Sequence, residues 1–218
     1  MNSEIDFKQM VGYFNQKLSA YGATPGGVDW NSTASQETRF NQLIKICEAT
    51  GMPSQEFTIN DYGCGYGALI TYLTGKDYRF QYTGYDLSES MVMKAQELFK
   101  DRPEAVFTTR QADLPIADYT VASGIFNLRF DIQDDIWLAY ILKVLHQMND
   151  LSMKGFSFNL LTKYSDADHI RPDLYYADPC YLFDYCKKHF SRNVALLHDY
   201  DLYDFTLLVR KQVGSIQS

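Results

Sequence analysis

The sequence has no long apolar run and no basic segment followed by an apolar stretch near its first residue. We therefore expect neither a membrane-spanning helix nor a secretory leader at that position. It also has no run of lysine or arginine, and 27 acidic residues outnumber 20 basic ones to give a net charge of −7. That charge argues against broad contact with nucleic acid or an anionic membrane. We expect a cytoplasmic protein with neither of these partners.

Cysteine and histidine are scarce, with four of each in 218 residues. None of the cysteine pairs has Cys-x-x-Cys spacing, which disfavours a zinc site or a redox pair. We expect reduced thiols and no bound metal. The oligomeric state cannot be inferred from the composition.

What the chain does contain is an ordinary globular composition, 46% hydrophobic and 22% charged, in the size range of one domain. Its hydrophobic patterns alternate between helical and extended periods. Helices are predicted near residues 4–20, 35–50, 67–74, 88–100, 132–148 and 178–188. Strands are predicted near residues 57–62, 80–85, 105–109, 119–126, 155–161, 194–200 and 205–210. The alternation predicts an α/β fold with a mostly parallel sheet, and the short last connection predicts a closing antiparallel hairpin.

The most informative segment is a glycine-rich turn between a predicted strand and a predicted helix. Asp61 ends the strand, and Gly63, Gly65 and Gly67 alternate after it. Such glycines allow a tight turn and let a ligand approach main-chain N–H groups. The segment also satisfies the dinucleotide pattern G-x-G-x-x-G/A, so a nicotinamide-dependent oxidoreductase is an alternative at this point.

Asp86 closes the next predicted strand, nineteen residues after Gly67. A carboxylate at the carboxyl end of that strand can accept hydrogen bonds from both hydroxyls of an adenosine ribose. The alternative role is to cap the helix that follows, but Ser88 already suits that position. We therefore favour a ribose-binding role.

Taken together, these residues resemble the class I S-adenosylmethionine-dependent methyltransferases over roughly residues 35–210. The resemblance implies a Rossmann-like sheet of seven strands, with helices on both faces and N-terminal helices added. It divides the chain into a helical lid segment, residues 1–34, and a methyltransferase domain, residues 35–218. Its implied cofactor-binding residues are Trp30, Arg39, Asp61, Gly63, Cys64, Gly65, Gly67, Asp86, Leu87, Asp113, Leu114, Ser123 and Gly124.

The methyl acceptor is expected to lie against the fourth strand's end and a long polar, aromatic segment after the fifth strand. His169 in that segment is the first candidate for a general base, and His198 is the second. The candidate substrate-binding residues are Asn127, Tyr164, Arg171, Tyr175 and Tyr176.

The acceptor side is informative mainly through what is missing. The fourth strand lacks the Asn/Asp-Pro-Pro-aromatic sequence of amino-methylating nucleic-acid relatives, and it lacks the aspartate of magnesium-dependent catechol-type relatives. A small polar metabolite, methylated on oxygen or nitrogen, is the expected substrate. A non-catalytic cofactor-binding protein is a further alternative, because the acceptor side offers few reactive groups.

Overall fold

A computed structural model of the chain describes residues 5–48 and 56–212. The helices of this part of the chain are α1 (Lys8–Tyr21), α2 (Thr33–Ile44), α3 (Ala68–Gly75), α4 (Glu89–Leu98), α5 (Asp134–Asp150) and α6 (Pro179–His189). The strands are β1 (Phe57–Tyr62), β2 (Phe80–Tyr85), β3 (Ala105–Thr108), β4 (Ala117–Ala122), β5 (Ser152–Leu161), β6 (Asn193–Leu197) and β7 (Asp204–Arg210). No helix within these residues is long and apolar enough to cross a membrane.

The strands form one sheet in the order β3-β2-β1-β4-β5-β7-β6. Strands β1 to β5 pair in parallel, and β7 runs antiparallel between β5 and β6. The order reverses between β1 and β4, which places a ligand crevice at the carboxyl ends of those two strands. The predicted Rossmann-like sheet with a C-terminal antiparallel hairpin is confirmed.

Apolar side chains fill both faces of the sheet. On one face, α5 and α6 pack with the aromatic residues of β5, and Trp137 is fully buried and donates its Nε1–H to the Phe126 carbonyl at 2.9 Å. On the other face, α2, α3 and α4 pack over β1 and β2, with Leu43 and Leu69 at the centre of that cluster. A parallel sheet needs this double cover because both of its faces are apolar.

Several helix boundaries follow from capping residues. The Ser88 hydroxyl accepts a hydrogen bond from the Met91 N–H at 3.1 Å, and Asp178 caps α6 ahead of Pro179. Both caps were predicted, since serine and aspartate satisfy the free N–H groups of a first helical turn. The sequence had suggested a start near Ser35 for α2, but Ser32 is the cap.

Several predicted elements were too long, and strand β6, for example, ends at Leu197 rather than near residue 200. Strand β4 ends at Ala122 rather than at Phe126, because Gly124 has a φ of 73° and turns the chain away from the sheet. Helix α2 ends at Ile44 rather than near residue 50. The predicted stop at Gly51 lies outside the described residues.

Candidate active site

A cavity of about 600 Å³ lies at the carboxyl ends of β1, β2 and β4, where the sheet order reverses. Helix α1 borders it from one side through Met10, Val11 and Phe14. Its volume lies within the usual range of small-molecule sites. The predicted site residues that line it are Trp30, Arg39, Asp61, Gly63, Cys64, Gly65, Asp86, Leu87, Ser123, Gly124, Asn127, His169, Arg171 and Tyr176.

The glycine turn holds its shape through main-chain hydrogen bonds. The N–H groups of Gly63 and Cys64 both donate to the Tyr85 carbonyl, at 2.7 and 2.9 Å. Gly63 has a φ of 84°, and a Cβ there would lie 2.2 Å from the Ile125 side chain. A side chain at position 63 is therefore excluded by both conformation and space.

Asp86 is tied to the same turn. Its carboxylate accepts from the Gly65 N–H at 2.9 Å and from the Ser88 N–H at 2.8 Å. Burial raises the pKa of this carboxyl, and the two N–H groups act in the opposite direction. Asp86 thus joins the glycine turn to the start of α4 and presents a carboxylate to the cavity.

Asp61 is the second carboxylate of the cavity wall, and it is buried. The Tyr82 hydroxyl donates to its Oδ2 at 2.7 Å, and both side chains are buried. Burial raises the pKa of Asp61 to about 7, the Tyr82 hydrogen bond lowers it, and the nearby Asp86 charge raises it. A nearby cationic group of a ligand would favour the ionised form of this buried carboxyl group.

Trp30 and Arg39 form one packed unit between the N-terminal segment and the sheet. The Arg39 guanidinium lies 4.0 Å from the centroid of the Trp30 ring and forms a buried ion pair with Asp204 at the start of β7. The Trp30 ring also occupies the space that a side chain at Gly124 would need, because a Cβ there would lie 2.4 Å from the ring. Arg39, expected to bind the cofactor, has the carboxylate of Asp204 as its partner here. The sequence did not point to Asp204.

The end of β4 is held by asparagine side chains. The Gly124 N–H donates to Asn159 Oδ1 at 2.8 Å, and the Leu161 N–H donates to Asn127 Oδ1 at 3.1 Å. The Ser123 hydroxyl is buried at the cavity wall and has no protein partner among the described residues. An unpaired buried hydroxyl costs free energy, so a bound ligand group at this position would be favourable.

On the acceptor side, His169 lies in a short 3-10 helix, Ala167–His169, that follows β5. Its Nδ1 lies 3.0 Å from Asp168 Oδ1, and its ring lies 4.8 Å from the centroid of Tyr203. The Tyr203 hydroxyl donates to Asp166 Oδ2 at 2.5 Å. This arrangement places one imidazole nitrogen against a carboxylate at an exposed position.

Arg171 and Tyr176 line the cavity beside His169. Arg171 forms an ion pair with Asp173 at 2.5 Å, and this contact raises the pKa of its guanidinium. The Tyr176 hydroxyl accepts from the Arg171 N–H at 2.9 Å and donates to the His169 carbonyl at 3.1 Å. Tyr176 therefore fixes the backbone of both neighbours.

The remaining predicted site residues do not line the cavity. Asp113 accepts from the Thr108 hydroxyl at 3.0 Å, and Leu114 lies in the apolar core. Gly67 is the N-cap residue before α3 and has a φ of 84°. Tyr175 is half-buried and packs against the core, and its N–H donates to the Asn127 carbonyl at 2.7 Å.

His198 and Tyr164 also lie away from the cavity. Their rings are 6.2 Å apart, and the His198 ring also lies 6.1 Å from Phe205. His169 is thus the histidine of the two that the fold brings to the cavity.

Residues 201–203, which connect β6 to β7, line the cavity but were not predicted to do so. Because β7 runs antiparallel to β5, its first residue lies at the carboxyl end of β5. The predicted hairpin contained this signal, since an antiparallel last strand must begin at the ligand-binding edge.

Among the described residues, Asp166, Asp168 and His169 form a group with metal-ligating atoms within 4.8 Å of one another. All three residues are exposed, and their hydrogen bonds are those given above. Exposed acidic groups of this kind are common without an ion.

Comparison with known proteins places this chain in a family. Residues 59–169 match the family described as "Methyltransferase domain". A relative from Mycobacterium tuberculosis, named "Putative methyltransferase Rv1506c", is 54% identical over 155 residues, which are 71% of this chain and 93% of the relative. The chain belongs to this methyltransferase domain family.

Two solved structures share the fold. Magnesium protoporphyrin IX methyltransferase (ChlM) from Synechocystis PCC 6803, with bound S-adenosylmethionine, has a TM-score of 0.66 and 17% identity, and the match covers 97% of this chain and 100% of that one. The N-methyltransferase NodS from Bradyrhizobium japonicum WM9, in complex with S-adenosylhomocysteine, has a TM-score of 0.62 and 13% identity, over 92% of this chain and 97% of that one.

The chain therefore combines membership of a methyltransferase family with the fold of solved S-adenosylmethionine-dependent methyltransferases. The residues of the cavity fit that cofactor in three respects. The carboxylates of Asp61 and Asp86 suit an ammonium group and ribose hydroxyls, the glycine turn lines the cavity, and Ser123 offers a hydroxyl without a partner among the described residues. The oxidoreductase alternative is set aside by the family match.

Proposed function

We propose that this methyltransferase modifies an oxygen or nitrogen atom of a small polar metabolite. One observation carries the proposal: a single cavity of about 600 Å³ is lined both by the glycine turn and by the His169–Tyr176 side of the fold. A cavity bordered by α1 and of this volume suits a small molecule beside the cofactor rather than a duplex. The net charge of −7 also favours a partner other than nucleic acid.

We assign the cofactor to the half of the cavity that contains Asp61, Asp86 and Trp30. Asp86 would accept hydrogen bonds from the ribose hydroxyls, and Asp61 would receive the amino group. The cofactor supplies an electrophilic methyl group on a sulfonium. The protein then has to hold an acceptor atom in line with that methyl and exclude water.

The acceptor half contains Asn127, His169, Arg171 and Tyr176. Asp168 holds Nδ1 of His169, so the other ring nitrogen is available to take a proton from a hydroxyl or ammonium acceptor. Arg171 is half-exposed, and Asp173 is its ion-pair partner at this end of the cavity.

We also propose that residues 1–34 act as a lid over residues 35–218. Support comes from the position of α1 at the cavity wall, through Met10, Val11 and Phe14. One contact joins the segment to the domain, because the Ser88 hydroxyl donates to Asn15 at 2.6 Å. Within the segment, Tyr13 donates to Asp29 at 2.8 Å and Lys17 pairs with Asp29 at 2.6 Å. Limited proteolysis with and without S-adenosylhomocysteine tests this role, and equal cleavage of the segment in both states would contradict it.

The substrate class is tested with methyl-labelled S-adenosylmethionine and a cell extract separated into small-molecule, RNA and protein fractions. We expect the wild-type protein to transfer label to the small-molecule fraction and the His169→Gln variant not to do so. Mass spectrometry of that fraction then identifies the acceptor. Label found only in RNA or protein would overturn the proposal while leaving the cofactor assignment intact.

A further inference from the structure

Tyr82 lies one layer behind the cavity and contacts one of its charged groups. It is on β2, opposite Ile59 of β1, and its side chain is 1% exposed. Tyr82 does not line the cavity, whereas Asp61 does. Nevertheless its hydroxyl donates to Asp61 Oδ2 at 2.7 Å.

This contact depends on a glycine. Gly84 stands in register with Asp61 on the neighbouring strand. A Cβ at Gly84 would lie 2.9 Å from Cε1 of Tyr82 and 2.8 Å from the Cys64 sulfur, and both side chains are buried. Because glycine has no side chain, the Tyr82 ring can lie alongside position 84 and carry its hydroxyl to the end of β1.

The hydrogen bond has a direct electrostatic consequence for Asp61. Three titratable groups face this carboxyl: Tyr82 from β2, Asp86 from the turn after β2, and Cys64 from the glycine turn. Burial and Asp86 favour the neutral acid, whereas the Tyr82 hydroxyl favours the carboxylate. The pKa of Asp61 lies at about 7, so small changes in this balance alter its charge at physiological pH.

We propose that Tyr82 is a positioning residue that keeps Asp61 ionised and oriented for the amino group of the cofactor. The inference rests on the proposed role of Asp61 in cofactor binding. It adds a residue outside the cavity that determines the pH range over which the cofactor binds. Asp61 Oδ2 is held by the tyrosine, which leaves Oδ1 for the ligand.

The test is the dissociation constant of S-adenosylmethionine, measured by calorimetry between pH 6 and 9 without any acceptor. Affinity is lost as pH falls through the pKa of Asp61. In Tyr82→Phe that pKa is higher, so affinity is lost at higher pH. We expect binding about tenfold weaker than wild type at pH 6.5 and within about twofold of it at pH 8.5, which corresponds to a midpoint about one pH unit higher. Superimposable pH profiles of variant and wild type would overturn the inference.

Two further variants make the result specific. Tyr78→Phe removes a hydroxyl that donates to Glu48 at 2.6 Å, outside the cavity, and should retain the wild-type profile. Asp61→Asn tests the role of Asp61: wild-type affinity in this variant would overturn that role and the inference with it. If Asp61→Asn binds S-adenosylmethionine more weakly while Tyr82→Phe keeps the wild-type pH profile, the inference about Tyr82 is overturned and the role of Asp61 stands.

Incorporation of 3-fluorotyrosine at position 82 keeps the ring and the hydroxyl and makes the phenol a stronger donor. This protein does not depend on the stability of Tyr82→Phe. We expect the midpoint of its pH profile to move below that of the wild type. A midpoint that does not move would contradict a donor role for Tyr82.

Discussion

Asp204, the first residue of the last strand, forms a buried ion pair with Arg39, which lies 165 positions earlier in α2. The Arg39 Nη1–H also donates to the Ser35 carbonyl at 2.9 Å, and its guanidinium stacks on Trp30. The pair therefore joins the hairpin, the helix before the glycine turn, and the wall of the cavity. Each of the two side chains keeps one polar atom without a hydrogen-bond partner among the described residues, Nε of Arg39 and Oδ1 of Asp204.

Breaking this pair should destabilise the fold strongly. Asp204→Ala leaves a buried guanidinium without its partner, and we expect a loss of about 3–5 kcal/mol in the free energy of unfolding. Chemical denaturation measures it. Asp184→Ala, which removes an exposed i,i+4 partner of Lys188, is the matched control and should cost no more than about 0.5 kcal/mol. Equal effects of the two variants would argue against a structural role for the buried pair.

Removing the Asp86 carboxylate should weaken cofactor binding. Each charge-assisted hydrogen bond to a ribose hydroxyl is worth about 1.5–3 kcal/mol, so Asp86→Ala should raise the dissociation constant of S-adenosylmethionine at least tenfold. Calorimetry at constant pH measures this. Asp113→Ala is the informative comparison, because Asp113 lies outside the cavity wall. An unchanged constant for Asp86→Ala would exclude the ribose role.

The general-base proposal separates two histidines. His169→Gln should lower kcat by about 10²–10⁴-fold if proton removal limits the reaction, with little change in cofactor affinity. His198→Gln should be far milder, because that ring lies away from the cavity. His146→Gln, on α5, is the control for loss of an imidazole outside the site. Normal turnover by His169→Gln would indicate an acceptor that needs no base.

Asp61 should make the free protein less stable at alkaline pH. Burial raises its folded-state pKa from 3.8 to about 7. Between these values the folded state binds more protons than the unfolded state, so this group's contribution to stability falls as pH rises from about 4 to 7. Asp61→Asn should therefore raise Tm relative to wild type more at pH 8 than at pH 5. Equal differences in Tm at both pH values would contradict a buried, ionising Asp61.

Much of the fold was predictable because local signals agreed with one another. The glycine turn, the Ser88 and Asp178 caps and the short final connection each constrained one junction of an alternating pattern. One error occurred where a tertiary contact determines the end of an element. Strand β4 stops early because Gly124 turns beneath Trp30, a residue 94 positions away.

The cavity wall was only partly predictable for the same reason. Site residues at or next to strand ends, such as Asp61 and Asp86, can be predicted from their position in the sequence pattern. Asp204 and Tyr82 carry no such signal, because their roles depend on side-chain contacts across the sheet. Asp113 resembles a cofactor residue by position, yet its carboxylate is directed to Thr108 and Arg110.

A crystal structure with S-adenosylhomocysteine tests the central claim most directly. We predict the ribose hydroxyls within hydrogen-bond distance of Asp86, the amino group on Asp61, and the sulfur facing the part of the cavity that contains Asn127 and His169. A cofactor bound outside this cavity, or a sulfur directed away from His169, would contradict the account.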